Sequence, residues 1–452
     1  QMCIRDRLNS FRKLVPQLLR LALPALVVLA AEPLYVLFDT ALVGHLGAIP
    51  LAALSVGGTV LAVVSSQLTF LSYGTTARSA RYHGAGKPQL ARQEGVQASW
   101  LAIFVGLAIL ILMQVFLNPL TKLLTGGGEL ASDTLSWLRI ALFGVPFILL
   151  SMAGNGWMRG VQEVRQPPIF VVVGFGVSAI LCPALIYGWG FLPSIGLKGS
   201  AWANVVGQSL TGILFTIVLI RSAHRYHLSW KPNREIIRQQ LRMGKDLIVR
   251  SLGFQVCFLS VSAVAARIGA EALGAHQIVW QIWVFTSLLL DSVAVAAQSL
   301  VGESLGAHRT TETEQLGKHI VASGTIIAVV IAIIYAALYN VIPRIFTSDS
   351  AVLNCVGIPW WFMVCLLPVA GAVFSCDGVL LGAGDAAFLR NVTAGAAFCC
   401  YLPMIWLSYS FHWGLAGLWG GFVLFIMVRA VAGLIRQWRG KWIIYGTPEE
   451  LA

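Results

Sequence analysis

Four carboxylates fall inside stretches otherwise built from apolar residues: Glu32, Asp39, Asp291 and Asp377. An ionisable group in a membrane span costs roughly 2.5–3.5 kcal/mol on insertion scales, so its presence is a functional hypothesis by default. Glu32 and Asp39 stand seven residues apart with Pro33 and Tyr35 between them. Two helical turns therefore put both acids on nearly one face. A carboxylate held in a partly dry cavity resists ionisation, so it can load and release a proton; ionised, it can hold Na⁺ or attract a cationic solute. Proton uptake and cargo binding then compete for one site, which is the chemistry of a coupled exchanger. Tyr35, one turn before Asp39, is placed to donate a hydrogen bond to its carboxylate. The plainer alternatives are that Asp39 caps its helix or bonds a neighbour, that Glu32 makes a packing hydrogen bond beside Pro33, and that Asp291 and Asp377 serve helix packing.

Candidate cavity residues besides these two aspartates are Asn155, Gln281 and Trp283. Trp283, with Trp280 and Phe285, can receive flat lipophilic cations through cation–π contacts. An interfacial aromatic belt explains the same residues. Pro24 and Pro33 each remove a backbone hydrogen bond from the stretch carrying Asp39, which makes that element the one expected to bend. The glycine sets Gly57-Gly58, Gly154-Gly156-Gly160 and Gly378-Gly382-Gly384 read as close helix contacts.

The elements that must position these groups are membrane helices. Of 452 residues, 57% are hydrophobic and 11% charged, against about a quarter charged in soluble domains. A span needs roughly 20 apolar residues. Twelve such runs occur, at about 16–42, 51–75, 96–118, 135–157, 168–190, 200–220, 246–266, 273–300, 319–341, 355–381, 392–411 and 415–436. The fold class expected is an all-α polytopic membrane protein, which excludes collagen-like, mucin-like, disordered and disulfide-framework chains. Eight cysteines without a CxxC pair give neither a zinc site nor a disulfide framework. The polar opening Gln1 to Arg7 lacks the apolar core and small-residue cleavage site of a signal peptide.

The excess of 31 Lys+Arg over 19 Asp+Glu, a net charge of +12, would suggest nucleic acid in a soluble protein. Here it reports topology. With the N-terminus cytoplasmic, 26 of the 31 basic residues fall on the cytoplasmic side, leaving Lys122, Arg139, Lys198, Arg267 and Arg344 opposite. The positive-inside rule then places both termini in the cytoplasm, and no nucleic-acid partner is expected.

The halves repeat. Pro146, Asn155, Gly156, Gly160 and Glu163 fall on Pro368, Asp377, Gly378, Gly382 and Asp385 at an offset of 222 residues. His45–Leu54 matches Arg267–His276, Ala77–Gly86 matches Ala297–Gly306, and Gly196–Gly199 matches Gly414–Gly417. Six spans per half keep both halves in one orientation, so two parallel six-helix repeats related by a pseudo-two-fold along the membrane normal are expected, an architecture of secondary transporters. The organisation reads as an N-terminal segment 1–13, an N-lobe 14–220, a basic linker 221–245, a C-lobe 246–436 and a tail 437–452.

Enzyme signals are weak. Gly302–Gly306 reads GESLG, but a nucleophile elbow needs a strand–turn–helix, and this one ends an apolar helix. Gly84–Lys87 lacks the GK[ST] ending of a phosphate loop, and no HExxH occurs. Neither an enzyme nor a bound cofactor is expected.

Three stretches carry a family resemblance: AEPLYVLFDTALVGHLG at 31–47, LDSVAVAAQSLVGESLGA at 290–307 and CDGVLLGAGD at 376–385. With these the chain resembles the multidrug and toxic compound extrusion (MATE) family, in its DinF-like branch. The resemblance implies a two-lobed, twelve-helix antiporter that exports organic cations and other amphipathic compounds in exchange for H⁺ or Na⁺. By position, Asp39 falls on the family's helix-one acid, Tyr35 on a nearby tyrosine, Pro24 near the bend of helix one and Asp377 on the Asp-Gly of helix ten. Many members carry Asn and Asp four apart in helix five, where this chain has Ser178 and Cys182 before Pro183. Weight therefore shifts to Asp39, with Glu32 as a substitute acid, and to H⁺ over Na⁺. The expected protein is a monomeric exporter of cationic or amphipathic small molecules, with its substrate path between the lobes. The alternatives are a lipid-linked precursor flippase, which would want a cavity lined by several Arg or Lys, and an intramembrane hydrolase using Ser304.

Overall fold

The computed structural model describes residues 2–189 and 193–451. Gln1, the first residue of the polar opening stretch, and Ala452, the last of the expected tail, lie outside the described residues. The fold is all-α. Among the described residues, twelve helices are long and apolar enough to cross a membrane: span one Val15–Gly44, two Ala48–Gly84, three Pro88–Thr125, four Gly128–Gly160, five Gln166–Tyr187, six Leu197–Tyr226, seven Arg234–Ile268, eight Ala270–Gly306, nine Glu312–Ala337, ten Ser350–Gly382, eleven Ala386–Ser410 and twelve Gly414–Trp438. Nine contain their expected apolar run whole, while spans five, nine and eleven end at residues 187, 337 and 410, short of the expected 190, 341 and 411, and residue 190 lies outside the described residues. Ile111, Leu112, Val115 and Phe116 of span three are exposed, an apolar outer face suited to lipid.

Prolines locate the irregular turns. Span four passes through a 3₁₀ turn at Leu142–Gly144 just before Pro146, and span eleven through a π stretch at Ala396–Tyr401 just before Pro403. In both, a residue without a backbone N–H follows the distorted turn. Span three ends at Gly126, whose φ of 76° lets its N–H reach back to the Lys122 carbonyl.

The polar midpoint is shorter as a connection than its charges suggest. Span six continues to Tyr226 and span seven begins at Arg234, where Asn233 Oδ1 accepts from the N–H groups of Glu235 (2.9 Å) and Ile236 (3.3 Å). The intervening residues are fastened to span three. Gln93 exchanges two hydrogen bonds with the backbone of Ser229, Gln97 bonds the Lys231 carbonyl and the Asn233 N–H, and the Trp100 indole donates to the Trp230 carbonyl.

The chain divides into two compact units, one of residues 24–244 and one of residues 1–23 with 245–451. The division falls within span one, at Pro24, and within span seven. In the 24–244 unit, a Cβ on Gly156 would lie 2.7 Å from the Ser72 carbonyl oxygen of span two. In the other unit a Cβ on Gly378 would lie 2.7 Å from Cα of Ala294 in span eight. Both partners in this pair of contacts stand 222 residues apart, so each half uses glycine to seat its fourth span on its second, as the glycine sets suggested. Gly384 instead takes a turn conformation, φ 78°. The 245–451 unit centres on an aromatic core of Trp360, Trp419, Phe422 and Phe425.

Candidate functional site

Asp39 is 4% exposed. Ser200 of span six donates to its Oδ2 at 2.7 Å, and the Cys182 thiol of span five donates to its Oδ1 at 3.1 Å. Ser200 in turn accepts from the Trp137 indole of span four at 3.2 Å. Trp137 is seated by Gly57, where a Cβ would come within 2.7 Å of the ring. Four other helices thus fix one carboxylate of span one, and every direct donor is neutral. No ion pair reaches Asp39 among the described residues. The helix-five position that departs from the family pattern, Cys182, is one of the two groups that touch Asp39.

Tyr35 is buried, but its hydroxyl makes no hydrogen bond to Asp39. The side chain still lies close enough to interact with both Asp39 and Cys182. Its ring packs on Phe175 at 5.5 Å between centroids.

Phe175 also lines a cavity of about 180 Å³ inside the 24–244 unit. Glu32, Asn155, Arg159 and Gln208 give this cavity polar walls, and Val28, Met152 and Phe215 supply apolar ones. Asn155 is 8% exposed, and its Oδ1 has no hydrogen-bond partner. Glu32 and Asn155 thus meet at one cavity, whose walls do not include Asp39.

The other two aspartates are placed differently. In the 245–451 unit, Asp377 accepts through Oδ2 from both Arg250 of span seven and Arg429 of span twelve. Asp291 of span eight lies close enough to interact with all three. Arg429 is also sandwiched between Phe254 (5.2 Å) and Phe425 (5.4 Å). Asp377 and Asp291, expected as cavity residues, are therefore members of a charge-balanced quartet joining four helices. Arg250 and Arg429 are the residues that sequence reasoning missed. Neither stands out in the sequence, where Arg250 closely follows the basic linker and Arg429 lies near the basic C-terminal residues, and only the apolar context of each hints at burial.

Trp283 is 5% exposed and packs edge-on against Phe422 at 4.9 Å, and Trp280 packs on Phe258 at 4.5 Å. Trp283 builds the core of its unit instead of lining a cavity there, because neighbouring aromatics fill the space a solute would need. Gln281, on the opposite side of span eight, is exposed. Ser304 hydrogen-bonds the Thr313 hydroxyl at 2.6 Å at the end of a long helix. Among the described residues, no group of three or more His, Cys, Asp or Glu is arranged to hold a metal ion.

A twelve-span helical frame built from two compact units, with a buried carboxylate beside an amphipathic cavity, defines a membrane transporter. Comparison with known proteins gives the family. A model of the MatE family matches residues 24–184 and again 247–408, once in each half, and the chain belongs to that family. It is 29% identical to Protein DETOXIFICATION 44, chloroplastic, of Arabidopsis thaliana, covering 97% of this chain and 85% of that one. It is 27% identical to DNA damage-inducible protein F of Escherichia coli, covering 93% and 91%. The fold is also similar to that of a solved structure described as the outward-facing conformation of a multidrug resistance MATE family transporter, with a TM-score of 0.82 at 22% identity over 94% of this chain and 95% of that one. Family membership makes the protein a transporter and not an enzyme.

Proposed function

We propose that the protein exports cationic or amphipathic small molecules in exchange for H⁺, with Asp39 as the coupling carboxylate. The observation that carries this reading is the contrast between two buried acids. Asp377 is neutralised by two guanidiniums, whereas Asp39 is held by a hydroxyl and a thiol and so keeps a charge that a proton can cancel. Hydrogens of Ser200 and Cys182 already face both carboxylate oxygens, so a metal cation would have to displace a donor from each, which favours H⁺ over Na⁺.

Cargo enters the cavity walled by Glu32, Asn155 and Phe175. Protonation of Asp39 changes the hydrogen-bonding demand on Ser200 and Cys182, and Tyr35 passes the resulting shift to Phe175. Span one bends at Pro24, where the backbone lacks an N–H, and the transporter alternates access. Glu32 serves as a second acid facing the cargo. Both termini lie in the cytoplasm, the membrane is the cytoplasmic membrane of a bacterium, and one chain suffices. The cavity has one arginine, Arg159, opposed by Glu32, which gives the flippase alternative little support.

The test is proteoliposome transport of a fluorescent lipophilic cation with a pH gradient and no Na⁺. Wild type moves cargo against its gradient, and Asp39→Asn does not. Activity of Asp39→Asn equal to wild type overturns the coupling assignment, and wild-type activity that appears only with Na⁺ overturns the choice of ion.

A further inference from the structure

At the end of span six that carries Arg221 and Arg225, a second cavity of about 480 Å³ opens in the 24–244 unit, sharing no lining residue with the one walled by Glu32 and Asn155. Its rim is basic. Arg92 is already engaged: it pairs with Glu163 at 3.3 Å and lies over the Tyr226 ring at 4.1 Å. Arg221 and Arg225 are exposed, stand one helical turn apart on the same face, and form no ion pair among the described residues. Three arginines against one glutamate leave the rim two positive charges in excess.

Below the rim the cavity changes character. Leu214, Ile217 and Val218 continue the same face of span six into the membrane, and Phe170 of span five closes the groove beside them. Spacings of three and four residues align these side chains with Arg221 and Arg225. A free phosphate has no use for an apolar groove, and a zwitterionic headgroup brings its own cation to a positive rim. A basic pocket at a membrane edge that runs into an apolar groove matches an anionic lipid.

We propose that this cleft holds one anionic phospholipid, with its phosphodiester between Arg221 and Arg225 and one acyl chain against Ile217, Val218 and Phe170. The site does not depend on which ion drives transport. The bound lipid ties the end of span six to span five.

The test uses the purified full chain in detergent with photoactivatable phosphatidylglycerol, followed by peptide mapping. Label is expected within residues 214–226, displaced by phosphatidylglycerol and not by equal phosphatidylcholine or by inorganic phosphate. Arg221→Gln with Arg225→Gln weakens binding about 30-fold, from about 1 kcal/mol per basic residue and 1.4 kcal/mol per decade, whereas lysine at both positions retains most of it. Label mapping elsewhere, or phosphatidylcholine competing equally, overturns the proposal. Displacement by inorganic phosphate at the same concentration identifies a free-anion site and overturns it as well. These wild-type arms decide the matter even where the double glutamine variant fails to fold.

Discussion

The quartet in the 245–451 unit gives a prediction whose size follows from its geometry. Asp377→Asn removes one of two carboxylates that face two guanidiniums, leaving Arg250 and Arg429 beside Asp291 alone. Arg429 is 6% exposed and held between two phenylalanine rings, so it cannot swing out to water without abandoning that packing. Removing one partner of a buried ion pair costs about 3–5 kcal/mol, because the remaining charge stays buried. At about 2–4 °C per kcal/mol for a unit of this size, the melting temperature falls by roughly 6–20 °C.

Arg429→Met alone carries a similar cost, since it leaves two carboxylates on one arginine. The double variant loses less than the sum, and the cycle returns a coupling above about 0.5 kcal/mol, the scatter expected of independent sites. The assay is thermal unfolding of purified protein followed by size-exclusion recovery, with cation transport measured on the same samples. Additive melting effects would refute the pairing. An unchanged melting temperature with lost ion dependence in Asp377→Asn would make Asp377 an ion site and sink the structural assignment.

Three further outcomes are expected. Ser200→Ala strips Asp39 of a charge-assisted donor worth about 1.5–3 kcal/mol; substrate-driven proton flux at fixed pH falls at least tenfold while cargo binding measured without a gradient is retained, and equal flux would discount the Ser200 contact. Glu32→Gln raises KM for a cationic substrate about 15-fold, from about 1.7 kcal/mol for a charge about 10 Å away at an effective dielectric near 20; a neutral amphipath is unaffected, and equal effects on both would argue against a charge role. Gly156→Ala and Gly378→Ala each drive a methyl group into backbone of the neighbouring span and cost about 1–3 kcal/mol; thermostability close to wild type in either would mean that the spans part more easily than their contact suggests.

Which parts of this protein could be read from the sequence follows from the range of the interactions involved. Spans are set by local hydropathy, and the repeat by matching residues such as Gly156 and Gly378, so both are written in contiguous stretches. Asp39 stands out because a carboxylate in an apolar run has few structural excuses. Its partners do not: Ser200 is 161 residues away and Cys182 is 143 residues away, and serine and cysteine are common in membrane helices. Spacing assigns Tyr35 to Asp39, and the structure keeps it near Asp39 and Cys182 but leaves its hydroxyl without a hydrogen bond and packs its ring on Phe175. Trp283 was read as a cavity residue because an aromatic in a span looks the same whether a solute or Phe422 covers it.

The two halves share a backbone frame and differ in what fills one position of it. Asn155 and Asp377 correspond at an offset of 222 residues, and so do Val28 and Arg250. In the 24–244 unit, Asn155 and Val28 face a cavity and the Asn155 carboxamide oxygen has no partner. In the 245–451 unit the same pair of positions holds an aspartate bonded to an arginine, and a second arginine from span twelve completes the plug. A buried polar oxygen without a partner is costly in a finished core, so the unpartnered Asn155 oxygen at the wall of a cavity is what a site kept open for a visiting ligand requires. Charge placed at the repeat-related positions makes the other half a rigid element instead. This difference, more than the presence of acids in both halves, is the reason to look for cargo and coupling within residues 24–244.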